Sequence, residues 1–306
     1  MIEIKNVSKS FGKIRALTDI ELTIRNNEIF GMIGSNGAGK STLLRILSGV
    51  IRPDLGSVHL EAIPIYENPE VKSRFFYISD DQFFLGNSTP IDMFNFYAQF
   101  YDRMDAEQFR MMMNSFGLDK DRKIKTFSKG MKKQLSMILG LSSDAEYLLC
   151  DESFDGLDPI AKQAIKILFS ETMRKRSLTP IIASHNLREL EDICDHVGLL
   201  HKGGVIMSRD IGDMRLNAKK IQAVFSTPIR AEDMAPFDVV SIDNLGSVYT
   251  IIVSGKNSDD EMIERLDAKM RSLEPIFYEM LPLNLEEIFI TESEVAGYDI
   301  RSILLQ

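Results

Sequence analysis

Cysteine is scarce in this chain: Cys150 and Cys194 are the only two among 306 residues. Two thiols cannot build a disulfide framework. Both stand in apolar or helical patterns, so the reduced thiols of a cytosolic protein are expected. Long apolar runs are missing too. No stretch of about 18 apolar residues occurs, so no membrane-spanning helix is expected. The opening "MIEIKNVSKSFG" has no apolar segment of the kind that marks a signal peptide. A basic surplus is also lacking. The formal net charge of −9 argues against a general nucleic-acid binder, which needs a cationic face to replace counterions. Neither an internal repeat nor a low-complexity tract is visible. What remains is a globular composition, 44% hydrophobic and 26% charged, with enough apolar material for one large domain or two ordinary ones.

Alternation of period two predicts strands over "IEIKNV" (Ile2–Val7) and "DIELTI" (Asp19–Ile24). The near-continuous apolar run "EIFGMIG" (Glu28–Gly34) predicts a strand covered on both faces. A helix is expected over "STLLRILSG", stopping at Gly49, and a further strand over "RFFYIS" (Arg74–Ser79). From Thr89 to Ser143 the pattern turns helical. Thr89 and Pro90 give a capping hydroxyl followed by proline at the first helical position. Asp105 caps a second helix ending at Gly117, and a third begins near Ser128. Strands return in "YLLCDE" (Tyr147–Glu152), "PIIASH" (Pro180–His185) and "VGLL" (Val197–Leu200), with helices between them. Such alternation implies a mainly parallel sheet, interrupted by an all-helical insertion at about 88–144. After about Asn217 the strands "IQAVFS", "DVVSID" and "SVYTIIVS" follow. With the amphipathic helix "SDDEMIERLDAKMRSL" they read as a small α+β appendage. Asp259 and Asp260 lie near the positive end of that helix. The expected domains are therefore 1–216 and 217–306.

The stretch "GSNGAGKST" (Gly34–Thr42) carries the phosphate-loop pattern, between an apolar strand and a helix as that pattern requires. Glycines let the backbone N–H groups of Ser35, Asn36, Gly37, Ala38 and Gly39 turn toward phosphate oxygens. The helix N-terminus beginning with Lys40, Ser41 and Thr42 adds its positive end. Lys40 can reach the β- and γ-phosphates of a bound ATP, and the Ser41 hydroxyl can bind Mg²⁺. Asp151, ending an apolar strand, can hold that Mg²⁺ through water, and Glu152 can orient and deprotonate the attacking water. His185 ends another apolar run. Its strand is expected beside the one carrying Asp151, so the ring can face the γ-phosphate. Phe11, just after the first strand, is placed to stack on adenine.

Together these residues resemble the ATP-binding cassette family, the nucleotide-binding subunits of ABC transporters, over roughly Met1–Asp213. Three further stretches carry the resemblance. "FDGLDP" (Phe154–Pro159) resembles the D-loop, "ASHNLRELEDICDHVGLLHKGGVI" the switch histidine with the residues after it, and "FSKGM" the signature motif. The resemblance implies a phosphate-loop NTPase sheet with a helical insertion subdomain, ATP and Mg²⁺ as ligands, and hydrolysis of ATP. It adds Asp158 to the nucleotide set. It also implies that Ser128 and Gly130 close on the γ-phosphate held by a second cassette, in a homodimer or heterodimer. A separate transmembrane permease is the implied partner, the cytoplasmic face of the cell membrane the implied location, and no nucleic acid is expected. The ending "NLEEIFI" resembles the C-terminal extension of many export cassettes.

The chain departs from the family at "YISDDQFF". The usual Mg²⁺-contacting glutamine falls by spacing on Asp80, with Gln82 two residues later, and both are candidates. Ser153 stands where a proline often follows the catalytic glutamate. Lys132 and Lys133 read as solvated lysines of a capped helix. The run "MFNFYAQFY" (Met93–Tyr101) and "RMMM" (Arg110–Met113) line a docking groove or form the insertion's own core. The rival readings are a cassette ATPase acting on DNA or ribosomes, and a regulatory module that binds ATP without turnover.

Overall fold

β1 (Ile2–Phe11) and β2 (Ile14–Ile24) open the chain as an antiparallel pair. β3 (Phe30–Ile33) leads through the glycine loop into α1 (Lys40–Leu47). β4 (Leu55–Leu60) and β5 (Ile63–Pro64) then return to the first pair, giving an antiparallel sheet of order β2-β1-β4-β5. A short α2 (Pro69–Lys72) precedes β6 (Phe75–Ile78). Three helices follow: α3 (Pro90–Tyr97), α4 (Ala106–Ser115) and α5 (Lys129–Ser142). The chain continues through β7 (Tyr147–Asp151), α6 (Pro159–Lys175), β8 (Thr179–Ser184), α7 (Leu187–Glu191), β9 (His196–His201) and β10 (Gly204–Asp210). This computed structural model describes residues 1–216, 218–254, 260–281 and 283–288. Asp259 and the last two residues of "NLEEIFI" lie outside them.

The chain falls into two compact units, Met1–Ser208 and a second beginning at Arg209. The first holds two sheets rather than one. The expected parallel sheet exists, in the order β10-β9-β3-β8-β7-β6. The early strands β1 and β2, however, belong to the separate antiparallel sheet. Their alternation of buried and exposed residues already marks a one-sided sheet. By contrast β3, β7 and β8 are buried at every residue, as strands covered on both faces must be.

Register fixes where the loops emerge. In the parallel pairs Ile33 lies beside Ser184, Asp151 beside Ala183, and Ile78 beside Cys150. The C-terminal ends of β3, β8, β7 and β6 therefore finish level, and the residues just past them meet on one edge.

The helical insertion folds by local rules. Thr89 and Asp92 form a reciprocal capping box ahead of Pro90 in α3. Asp105 accepts from the backbone N–H groups of Glu107 and Gln108 to start α4, and Ser128 accepts from Met131 N–H to start α5. Met93, Phe94, Phe109, Met112 and Met113 are buried, with the Phe94 and Phe109 rings 4.8 Å apart. Each such side chain contributes about 1.5–3 kcal/mol. Of the two apolar runs, Met93, Phe94, Met112 and Met113 thus enter the insertion's own core, Tyr97 and Tyr101 pack on Phe76 of β6, and Phe100 and Met111 stay exposed.

In the second unit, α8 (Ile211–Leu216) precedes β11 (Ala218–Val224), β12 (Asp238–Leu245), β13 (Val248–Ser254), α9 (Asp260–Ser272) and β14 (Phe277–Leu281). The four strands make an antiparallel sheet of order β12-β13-β11-β14. Leu266 and Met270 of α9 share a core with Ile221, Ile251 and Val253. Among the described residues no helix is long and apolar enough to cross a membrane.

Candidate nucleotide site

The loop between β3 and α1 owes its shape to glycine. Gly39 has φ 103°, and a Cβ there would lie 2.6 Å from the Ala16 carbonyl oxygen. A side chain at Gly34 would meet the Leu200 carbonyl oxygen at 2.4 Å. α1 starts without a side-chain cap, so its first N–H groups have no capping side chain as acceptor. Uncapped N–H groups and the positive helix end are what an anion needs.

A cleft of about 430 Å³ opens over this loop. It is lined by Asn36, Gly37, Ala38, Gly39, Lys40, Ser41, Thr42, Asp80 and Glu152, and on its far side by Phe11, Ile14, Arg15 and Ala16. Phe11 is the last residue of β1, roughly half exposed. It lines the cleft, where a nucleobase could stack. Ile14, Arg15 and Ala16, the first residues of β2, were not foreseen. They come to the cleft through strand pairing, which no local motif reports.

Lys40 is 5% exposed, and its Nζ donates to the Gly34 carbonyl at 2.6 Å and the Ser35 carbonyl at 3.3 Å. The same nitrogen is 3.2 Å from Oε1 of Glu152. The other Glu152 oxygen, Oε2, lies 2.9 Å from Nδ1 of His185, and Asp155 Oδ2 lies 3.8 Å from that ring nitrogen. Glu152 is thus held between a lysine and a histidine, each at hydrogen-bond or ion-pair distance.

Ser41 Oγ donates to Oδ1 of Asp151 at 2.9 Å. The second Asp151 oxygen accepts from the Tyr77 hydroxyl, also at 2.9 Å. Burial first, and the Asp151 carboxylate second, push the Tyr77 phenol up to about 12, so it stays a donor. Tyr77 escaped sequence reasoning. The signal was there, since it sits on the strand next to the one that ends in Asp151.

The remaining candidates fall elsewhere. Gln82 turns its Nε2 back onto the Asp80 and Ser79 carbonyls, at 2.8 and 3.3 Å, while Asp80 lines the cleft. Asp158 accepts from Ala161 N–H at 2.9 Å as the cap of α6. Ser128 is exposed at the start of α5, and neither it nor Gly130 lines the cleft. Lys133 corrects the expectation of a solvated lysine. It is fully buried, because its ammonium reaches the Glu152 carbonyl and Asp80.

Lys40 is the buried cation of this loop, and its part in nucleotide capture is open to a direct test. Lys40→Ala removes the fixed charge from the loop, and ATP affinity is expected to fall by about 10- to 100-fold with the fold retained. Calorimetry of ATP binding checks it, and an unchanged dissociation constant would remove Lys40 from the site.

Similarity to known proteins points the same way. A sequence profile for the ABC transporter family matches residues 17–155. The chain is 29% identical over 292 residues to the ABC transporter ATP-binding protein YtrB of Bacillus subtilis (strain 168), covering 95% of this chain and 98% of that one. It is 30% identical to the lantibiotic transport ATP-binding protein SrtF of Streptococcus pyogenes, over 69% of this chain and 91% of that protein. Among solved structures, an ATP-binding subunit of an ABC transporter superposes with a TM-score of 0.64 at 25% identity, covering 70% of this chain and 92% of the other.

Proposed function

This chain belongs to the ABC transporter family, as an ATP-binding subunit with ATPase chemistry, and from that premise we propose that it powers an exporter by dimerising around two ATP molecules beneath a separate membrane permease. The observation that carries the hydrolytic part is Glu152, held between Lys40 and His185 at the mouth of the phosphate loop. The export reading draws on the lantibiotic transport relative and on the C-terminal unit, which the 292-residue alignment with YtrB takes in as well. Ser128 and Gly130, exposed or half-exposed and outside their own chain's cleft, support a role toward a second cassette.

The chemistry follows from the geometry. The phosphate-loop N–H groups and Lys40 take the triphosphate. Lys40 exchanges its contacts with the Gly34 carbonyl and Glu152 for phosphate oxygens, which leaves the Glu152 carboxylate free to accept a proton. A water on the γ side gives that proton to Glu152 as its oxygen bonds to the γ-phosphorus. The bond to the β–γ bridging oxygen breaks, and ADP leaves with the electron pair. His185 holds the carboxylate in line. The oxygen donors Ser41 Oγ and Asp151 Oδ1 converge in a set that suits Mg²⁺. That ion would supply charge neutralisation on the β- and γ-oxygens.

Asp80 rather than Gln82 faces this site, so the two should separate in assay. Asp80→Asn is expected to raise the Mg²⁺ concentration for half-maximal hydrolysis, while Gln82→Ala leaves it within about twofold of wild type. The reverse ranking would give the role to Gln82. The proposal as a whole is tested by purifying the chain from native membranes and measuring phosphate release. A co-purifying polytopic membrane protein and ATP turnover are expected. Recovery with ribosomes or DNA, or binding of ATP without turnover, would sink it.

A further inference from the structure

The helix that presents Ser128 and Gly130 outward also sends one cation inward. Lys133, on α5, is 0% exposed. A buried ammonium is costly unless it is paired and hydrogen-bonded. Two acceptors meet it: the backbone carbonyl of Glu152, and Oδ1 of Asp80 at 3.3 Å. These acceptors stand just past the ends of two neighbouring strands, β7 and β6. One nitrogen therefore links the helical insertion to the loop carrying Glu152 and to the loop that leaves for the insertion.

Glu152 has a particular need of such a link. Its φ is 48°, in the left-handed region that side-chain-bearing residues enter reluctantly. Its N–H donates to the Ala183 carbonyl at 3.0 Å, which fixes one side of the residue to β8. The Lys133 ammonium fixes the other side at the carbonyl, which also accepts from the Asp155 N–H at a longer 3.3 Å. With both main-chain groups held, the side chain leaves the backbone in one direction, toward Lys40 and His185. Without the ammonium only the longer Asp155 bond would remain at the carbonyl, the peptide could turn toward ordinary backbone angles, and the carboxylate would swing off that line. Asp80 serves in this arrangement as the counter-charge that makes a buried lysine tolerable.

We propose that Lys133 is a positioning residue for hydrolysis, holding the Glu152 main chain in the conformation that aims its carboxylate. The proposal rests on Glu152 being the general base. Sequence reasoning could not see it, because Lys133 looks like one more lysine of a basic helix start. It acts through Glu152 and touches no reacting atom.

The test compares two substitutions in the full chain. Lys133→Met fills similar space and is apolar, but it cannot donate to the carbonyl. Lys133→Gln also loses the charge yet keeps a donor. ATP affinity, KM and kcat are measured for both, beside Glu152→Gln as the reference for loss of the base. The Met variant is expected to bind ATP within about threefold of wild type and to lose about 10- to 100-fold in kcat, the scale of a misplaced catalytic group. The Gln variant is expected to recover about tenfold of that loss, since its amide can still hold the carbonyl. Three results would overturn the proposal. One is a Met variant with kcat within about twofold of wild type. The second is equal kcat in the Met and Gln variants, which marks a space-filling role. The third is a loss of ATP affinity as large as the loss of kcat, which marks a collapsed cleft. If instead Glu152→Gln hydrolyses ATP normally, the general-base assignment fails and takes this inference with it, so the two failures read differently.

Discussion

Glu152→Gln is expected to bind ATP and not consume it. The substitution keeps the size of the side chain and leaves an oxygen to face Lys40, 3.2 Å away in the native protein. What it removes is the basic oxygen pair that accepts a proton from water. Loss of a positioned general base costs about 10²–10⁴-fold, and kcat should fall in that range. Affinity moves the other way or stays level, because a carboxylate beside a triphosphate repels it and an amide does not. The bound state should then accumulate, and an ATP-dependent dimer should become visible by sizing or light scattering. Phosphate release within about threefold of wild type would take the base role from Glu152.

Gly130→Asp is expected to abolish hydrolysis without touching the cleft in its own chain. A Cβ at Gly130 would sit 3.4 Å from the Gly156 carbonyl oxygen, an ordinary contact, so the fold should accept a side chain. An acidic residue in the first turn of α5 even favours the helix, by about 0.3–1 kcal/mol. Thermal stability should therefore hold. ATP binding to the monomer should hold as well, since the phosphate loop is unchanged. In the proposed dimer the new carboxylate would face the partner's γ-phosphate, where bulk and like charge block approach. Dimerisation and turnover should both vanish. Mixing with Lys40→Ala protein sharpens the result. One of the two sites in a mixed dimer joins an intact loop to an intact signature, so partial activity returns where one site suffices. Weaker ATP binding by the isolated Gly130→Asp monomer would place the motif in its own chain and end the composite-site reading.

Local signals in the chain account for much of this. The phosphate loop was legible because its glycines, lysine and serine act within one turn between strand and helix. Positions such as Gly39 at φ 103° admit almost nothing else. Helix starts were legible at Thr89, Asp105 and Ser128 because capping is a bond between neighbours. Asp151 and Glu152 were legible as candidates because their acid-ended apolar strand stands in one chain with a phosphate loop.

Contacts between residues far apart in sequence were decided by the tertiary structure. The early strands formed a second, antiparallel sheet, since period-two alternation shows which face is buried but not which strand is the neighbour. That pairing brought Ile14, Arg15 and Ala16 to the cleft. Which of Asp80 and Gln82 lines the cleft turned on where one loop folds back on itself, with the Gln82 amide spent on the Asp80 carbonyl. Lys133 became visible as an interior cation only when α5 packed against the ends of β6 and β7. Sequence by itself determined the family's ATPase chemistry and named the candidate residues, because those depend on local backbone geometry and residue type. Packing alone decided what holds them in place, because a buried charge finds its partners through space and not along the chain.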